Sequence, residues 1–181
     1  MERKQLIRNS KFLSMVLRHR PEEIGLQLDA AGWIEVDVLL KAIRSHRHPI
    51  SQAELEEIVA GSDKQRFAFS EDGRRIRANQ GHSIAVDLGY QPAETPEILF
   101  HGTVPKFLTK IRQQGLLKGD RHHVHLSPDE ETARVVGKRR GKPIVLVVQA
   151  GELHDAGHEF FVTPNHVWLT DHVPTKYLTF P

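Results

Sequence analysis

The sequence predicts an α+β protein built from two lobes, which lie on either side of a segment rich in glycine and proline. Residues 1–90 carry helical apolar periodicity and one hairpin pattern, whereas residues 97–181 carry mostly short apolar runs typical of strands. A length of 181 residues is enough for two small domains. The intervening residues 83–97 show little periodicity, and we interpret them as the passage between the lobes.

The first lobe reads as helices followed by a hairpin. The predicted helices and strands cover residues 3–19, 37–46, 51–60, 66–69 and 75–78. Leu6, Leu13 and Leu17 share one helical face, and Ser51 with Glu54 has the spacing of a capping box at the start of the third helix. Helices followed by a short hairpin are typical of a winged helix, which is a common nucleic-acid-binding arrangement.

The second lobe is predicted to be rich in strands. Its predicted strands cover residues 98–101, 124–126, 144–148, 159–162, 166–169 and 177–180. A helix is predicted over residues 104–113, and Ser127-Pro128-Asp129-Glu130 predicts the start of another, with Ser127 as its N-cap.

Composition excludes some classes of chemistry. The chain has no cysteine, which excludes disulfides and thiolate catalysis. No apolar run approaches the roughly 18 residues that a membrane span requires, and the first residues lack the apolar core of a secretory signal. We therefore expect a cytoplasmic monomer that has no membrane partner. The net charge is +2, so a nucleic-acid surface would have to come from local clustering of cations.

Cationic residues cluster along the first predicted helix. Lys4, Arg8, Lys11 and Arg18 fall within about 80° of arc on a helical projection. A solvated helix face is the simpler interpretation of such a stripe. Further arginines, Arg66 and Arg121, weaken that interpretation, because a guanidinium fork suits phosphate.

The histidines and glycines give weaker signals. The spacings His123/His125 and His154/His158 permit a metal site, but a structural or surface role is the simpler interpretation and we expect no metal. The chain contains no G-x-G-x-x-G fingerprint. Residues 137–143 have the wrong spacing for a phosphate-binding P-loop and are predicted to form an exposed basic loop.

Five short segments, taken together and in order, resemble the RNA 2′-phosphotransferase (KptA) family over nearly the whole chain. They are Ser10-Lys11-Phe12-Leu13-Ser14 with Leu17-Arg18-His19, Lys64-Gln65-Arg66-Phe67, Arg77-Ala78-Asn79-Gln80-Gly81-His82-Ser83, Leu99-Phe100-His101-Gly102-Thr103, and Arg121-His122-His123-Val124-His125-Leu126-Ser127. The third and fifth segments are the most specific.

This resemblance implies an N-terminal winged-helix lobe that binds RNA and a C-terminal NAD lobe with an ADP-ribosyltransferase-like fold. It also implies that NAD is consumed as a substrate. In the first step the RNA 2′-phosphate attacks the nicotinamide-bearing ribose carbon and nicotinamide leaves. In the second step the neighbouring ribose hydroxyl attacks that phosphate. The products are RNA with a free 2′-hydroxyl and ADP-ribose 1″,2″-cyclic phosphate.

The resemblance also implies roles for individual residues. The catalytic set is Arg18, His19, Arg66 and Arg121. The NAD-binding residues are His101, Gly102, Thr103, His125, Leu126, Ser127 and Val167. Val167 stands at the third position of the transferase signature, where protein-modifying relatives often have an acid. The expected RNA contacts are Arg8, Lys11, Asn79, Gln80 and His82. The catalytic set is divided between the lobes, so we expect activity to require both.

Two other functions stay open at this point. The second lobe could sense NAD without turnover, in which case the chain would be a winged-helix regulator. The same scaffold could instead transfer ADP-ribose to 5′-phosphorylated nucleic-acid ends. Eukaryotic relatives suggest a tRNA splice junction as the substrate, but the sequence does not rank natural RNAs.

Overall fold

The chain folds into two compact units, Met1–Gly89 and Tyr90–Pro181, and the computed structural model describes residues 3–62 and 65–181. Both units combine helices with small antiparallel sheets, which confirms the predicted α+β class. Within the described residues, none of the helices combines the length and apolar character needed to cross a bilayer.

The first unit packs three helices against a three-stranded sheet. Its elements are α1 (Arg3–Arg18), β1 (Ile34–Glu35), α2 (Val36–Ser45), α3 (Gln52–Ala60), β2 (Phe67–Phe69) and β3 (Arg75–Ala78). The strands are antiparallel in the order β1-β3-β2, and Phe67 faces Ala78 across the β2–β3 hairpin. The helix-then-hairpin pattern of the sequence is confirmed.

Local sequence determines the ends of the helices in this unit. Helix α1 buries Leu13, Val16 and Leu17 completely, as its predicted apolar face requires. At the start of α3, the Ser51 hydroxyl accepts from the Glu54 N–H, and the Glu54 carboxylate accepts from the Ser51 N–H. The predicted capping box is therefore confirmed.

A tryptophan in the turn before β1 is covered by two arginines. The guanidinium carbons of Arg75 and Arg77 lie 5.5 Å and 4.5 Å from the centroid of the Trp33 ring. The Asp29 carboxylate accepts from the Trp33 N–H at 2.8 Å and pairs with Arg75 at 3.6 Å. These contacts fix the turn that leads into the sheet.

The segment predicted to pass between the lobes, residues 83–97, contains the boundary between the two units. The N–H of Ser83 donates to the Arg18 carbonyl, and the N–H of Asp87 donates to the Ala30 carbonyl, both within the first unit. The N–H of Ala93 donates to the Phe160 carbonyl within the second. The boundary between the two units, after Gly89, therefore lies within the segment interpreted as the passage, and backbone hydrogen bonds hold each part of it to its own unit.

The second unit consists of three short helices and eight strands in small sheets. Its elements are β4 (Ile98–Thr103), α4 (Pro105–Gln114), β5 (Leu116–Leu117), β6 (Val124–Leu126), α5 (Glu130–Lys138), β7 (Ile144–Gln149), α6 (Ala150–Asp155), β8 (Phe161–Val162), β9 (Trp168–Thr170), β10 (His172–Val173) and β11 (Leu178–Thr179). The antiparallel sheets have the strand orders β11-β7-β4, β6-β9-β8 and β10-β5.

One backbone bridge joins the two three-stranded sheets of this unit. Phe100 and Ser127 exchange hydrogen bonds of 2.9 Å and 2.8 Å between their backbones. Ser127 is therefore not the N-cap of α5, as the sequence predicted. Asp129 caps that helix, and its carboxylate accepts from the Thr132 N–H at 2.7 Å. The expected cap was wrong because pairing with β4 extends the chain at Ser127.

Helix α5 lies unusually close to β4. A Cβ atom added at Gly102 would stand 1.8 Å from the Ala133 carbonyl oxygen, and one added at Gly137 would stand 2.9 Å from the Thr103 carbonyl oxygen. Only glycine fits at Gly102, since the nearest atoms to an added side chain are backbone atoms of Ala133 and Gly137. This contact fixes the end of α5 beside the strand that carries His101.

Candidate active site

Two arginines of the first unit are held together at the end of α1. Arg18 is the last residue of α1, and its Nη2 donates to the Arg66 carbonyl at 3.2 Å. The Arg18 guanidinium carbon also lies 5.8 Å from the Phe67 ring centroid. Arg66 precedes β2, and its Nη1 lies 3.4 Å from the Ser62 hydroxyl. Both arginine side chains are half-buried.

His19 follows directly and is attached to a residue that the sequence reasoning did not select. The Nδ1 atom of His19 lies 2.9 Å from the Ser83 hydroxyl, and the Ser83 N–H donates to the Arg18 carbonyl at 2.9 Å. Ser83 thus fixes both the end of α1 and the orientation of the imidazole. The signal for it was its position at the end of the third resembling segment.

The five residues expected to contact RNA differ in exposure. Arg8 and Lys11 are exposed on α1, and Gln80 is half-buried. Asn79 and His82 are only 5% and 2% exposed. The Asn79 amide donates to the Gln65 carbonyl, and the Asn79 N–H donates to the Arg66 carbonyl.

Asn79 and His82 are thus nearly buried, and their expected contact with RNA stays a prediction. Asn79 holds the backbone at Arg66, next to the paired arginines. Lys64, which belongs to the second resembling segment, lies outside the described residues.

A chain of hydrogen bonds in the second unit connects His101, His125 and Arg121. His101 Nδ1 donates to the His125 carbonyl at 3.0 Å. Arg121 Nη1 donates to His125 Nδ1 at 3.1 Å. Because a guanidinium only donates, Nδ1 of His125 is the acceptor and its ring hydrogen lies on Nε2. His125 therefore links the other two residues, since its backbone holds His101 and its side chain holds Arg121.

The electrostatics of this chain keep His101 neutral. Burial lowers the pKa of His101, and the positive charges of Arg140 and Arg121 lower it further, against the opposing effect of its bond to His125. With its hydrogen on Nδ1, the neutral ring presents Nε2 as an acceptor. Such an atom suits a hydroxyl group of a ligand.

The other predicted NAD-binding residues surround these side chains on β4, β6 and the start of β9. Gly102 and Thr103 continue β4 after His101, and Leu126 with Ser127 follows His125 on and after β6. Val167 is half-buried and precedes β9, where its N–H donates to the Thr163 hydroxyl at 2.9 Å. Strand β9 pairs with β6, so Val167 and Ser127 lie at neighbouring strand ends.

The remaining histidines do not assemble a metal site. Among residues 3–62 and 65–181, no group of three or more His, Cys, Asp or Glu side chains could hold a metal ion. His154 lies on α6, and its Nδ1 contacts the His158 carbonyl at 3.3 Å. This contact is structural.

Comparison with known proteins identifies the family of this chain. A profile described as RNA 2′-phosphotransferase, Tpt1/KptA family, matches residues 4–172. The chain belongs to this family. The matched region includes every predicted site residue from Arg8 to Val167.

Similar full-length relatives in the Tpt1/KptA family come from several bacteria. A protein of Streptomyces coelicolor is 52% identical over 181 residues, covering 100% of this chain and 98% of the relative. A protein of Trichormus variabilis is 53% identical over 178 residues, covering 98% of each chain. A protein of Agrobacterium fabrum is 55% identical over 170 residues, covering 94% of this chain and 91% of the relative. Each of these relatives is named a probable RNA 2′-phosphotransferase.

Proposed function

We propose that this chain removes a 2′-phosphate from RNA by transferring it to NAD, and that NAD is consumed in the reaction. The observation that carries this proposal is the His101–His125–Arg121 chain of hydrogen bonds in a member of the Tpt1/KptA family. It combines a neutral acceptor for a ribose hydroxyl with a fixed cation for a phosphate.

The two units have different roles in this proposal. The first unit, with its helices followed by a hairpin, is a winged-helix RNA lobe, and exposed Arg8 and Lys11 contact the RNA backbone. The second unit is an ADP-ribosyltransferase-like NAD lobe. Asn79 and His82 support the first of these lobes from within.

Among the proposed NAD-binding residues, Gly102 acts through packing and His101 through a direct contact. The missing side chain of Gly102 lets α5 lie against the strand that carries His101. His101 Nε2, unprotonated, accepts from a ribose hydroxyl. Leu126, Ser127 and Val167 flank the nicotinamide half at the ends of β6 and β9.

The reaction follows from the charges. The RNA 2′-phosphate is already an anion, so its attack on the nicotinamide-bearing ribose carbon requires no strong base, and nicotinamide leaves. The adjacent ribose hydroxyl then attacks the phosphorus, and the RNA 2′-oxygen leaves with a proton. Arg18, His19, Arg66 and Arg121 stabilise the charge on the phosphate oxygens in this second step.

The decisive experiment uses an oligonucleotide with one internal 2′-phosphate. We expect loss of that phosphate and release of nicotinamide, both dependent on NAD and unaffected by chelators. Release of phosphate in the absence of NAD, together with its loss when chelators are added, would identify a metallophosphatase and refute the proposal.

A matched RNA with a 5′-phosphate and no 2′-phosphate tests the alternative reaction. Stable addition of ADP-ribose to that 5′ end, together with no loss of the 2′-phosphate from the first oligonucleotide, would indicate end modification. NAD binding with no release of nicotinamide in the presence of either RNA would indicate that the chain senses NAD without turnover.

A further inference from the structure

A strongly basic turn follows α5 in the second unit. Lys138, Arg139, Arg140 and Lys142 are all exposed, with Gly141 between the last two. We call residues 138–142 the basic turn. Sequence reasoning treated this segment as an exposed loop, and neither the family resemblance nor the proposed site includes it.

The basic turn is anchored to the end of the strand that carries His101. Gly137, just before it, contacts the backbone of Thr103. Gly141 faces Val104, whose Cγ1 would lie 3.7 Å from an added Cβ atom. The Arg140 guanidinium carbon lies 5.9 Å from the centroid of the Phe107 ring on α4. These contacts place the basic turn beside β4.

The positive charges of the basic turn also reach Arg121, which lies in the loop between β5 and β6. Burial lowers the pKa of the Arg121 guanidinium, and the positive charges of Arg140 and Arg139 lower it further. In the part of the chain that the structure describes, the ion pairs do not include Arg121, Arg139 or Arg140. Like charges gathered without a carboxylate repel one another unless an anion joins them.

A simpler role explains only part of this arrangement. Cations in the last turn of a helix interact favourably with its dipole, which accounts for Lys138 and Arg139 near the end of α5. It does not explain why the charge of Arg140 lowers the pKa of both Arg121, in the loop before β6, and His101 on β4.

We propose that Arg139 and Arg140 join Arg121 in binding a phosphate group of the nucleotide held at His101. The inference rests on the proposed function, because NAD and 2′-phosphorylated RNA are its candidate sources of phosphate. Guanidinium groups bind phosphate through paired, charge-assisted hydrogen bonds, and several guanidinium groups can share its oxygens.

The test measures binding to the full chain, without turnover, for the variants Arg139→Gln, Arg140→Gln and their combination. Lys110→Gln is the matched control, because Lys110 is exposed on α4 of the same unit. The probes are NAD, adenosine, a 2′-phosphorylated oligonucleotide and its 2′-hydroxyl counterpart. Thermal unfolding of each variant reports any loss of stability.

We expect the double variant to lose about tenfold or more in affinity for one phosphate-bearing probe. Loss for NAD, with adenosine unchanged, identifies the dinucleotide phosphates. Loss for the 2′-phosphorylated RNA, with its 2′-hydroxyl counterpart unchanged, identifies the RNA phosphate. Arg140→Lys should recover part of the affinity, because lysine keeps the charge and loses the fork.

Three results would overturn the inference. One is that the double variant binds all probes with the same affinity as the control variant Lys110→Gln. Another is a fall in unfolding temperature with unchanged affinity, which would assign the basic turn to helix stabilisation. The third is an equal loss for both oligonucleotides with NAD unchanged, which would assign it to general contact with RNA. None of these results depends on turnover, so they are distinguishable from failure of the proposed reaction.

Discussion

The imidazole of His101 is held in one tautomer by its bond to the His125 carbonyl. Its lowered pKa has a definite consequence for pH dependence. An ordinary histidine takes up a proton near pH 6.5. His101 stays neutral below that value, and Nε2 is lost as an acceptor only when the pH falls through its lowered pKa.

We expect the KM for NAD to stay constant from about pH 8 to below about pH 6.5, and to rise only where the pH falls through the lowered pKa of His101. His101→Ala should raise the KM for NAD about tenfold and remove this rise, while RNA affinity stays near that of the wild type. Initial rates at varied NAD concentration, with separate RNA-binding measurements, check this. His154→Ala is the control, since His154 is exposed and contacts the His158 carbonyl and the Phe160 ring, neither of which is assigned to NAD. Weakened RNA binding with a normal KM for NAD would give His101 another role.

Residue types alone could nominate most of these side chains, but not their partners. Arg18, His19 and Arg66 lie in segments that resemble the family. Ser83, which contacts His19, lies 64 positions away along the chain. Contacts between such distant positions depend on the fold, and periodicity carries no information about them.

At the scale of elements, the close approach of α5 to β4 sets the geometry of the second unit. Gly102→Ala would place a methyl group against the Ala133 carbonyl, and neither backbone can move without disturbing its hydrogen bonds. We expect a loss of about 3 kcal/mol or more in the free energy of unfolding, the upper range for overpacking. Urea denaturation measures it.

Gly73→Ala is the matched control for this prediction. Gly73 has φ of +70° and no neighbour within 4 Å of an added Cβ. It should therefore show only the backbone cost of about 1–2 kcal/mol for a left-handed residue. Equal stability of the two variants would show that the contact between α5 and β4 is looser than described.

Element boundaries were predictable where the determinants are local. The capping box of Ser51 and Glu54 acts over three residues, and the sequence sufficed to find it. The cap of α5 was misplaced because Ser127 pairs with Phe100, a distant residue. The two-residue strands β5 and β10 stabilise each other, and neither is long enough to show an alternating pattern.

For the whole molecule, the proposed catalytic residues are divided between two units, each of which has its own hydrophobic core. One core includes Leu13, Leu39 and Ile76, and the other includes Leu99, Leu146 and Leu153, all fully buried. Arg18, His19 and Arg66 belong to the first unit, and Arg121 belongs to the second. The proposed chemistry therefore requires both units, and substitutions in either should have similar kinetic signatures.

We expect Arg66→Ala and Arg121→Ala to slow the second step more than the first. Cations that neutralise the attacking phosphate also reduce its nucleophilicity in the first step, whereas in the second they stabilise the charge that rearranges on its oxygens. Losing one such donor costs roughly 10²–10³ in rate at comparable sites. RNA carrying 2′-phospho-ADP-ribose should accumulate, visible as a slower-migrating, NAD-dependent species on a denaturing gel.

Lysine at either position should restore part of the rate, because the charge remains and the bidentate fork is lost. Loss of all nicotinamide release in both variants, with no accumulating species, would instead assign these arginines to substrate binding or to the first step.

The positions of the two tryptophans give each unit its own optical reporter. Trp33 lies in the first unit beneath Arg75 and Arg77, whereas Trp168 begins β9 in the second, next to Val167. Replacing Trp33 with phenylalanine leaves indole emission from Trp168 alone, beside the position assigned to the nicotinamide ring. Quenching of that emission then reports the binding of NAD to the second unit in real time. The measurement needs no added dye, and the chain has no cysteine to oxidise.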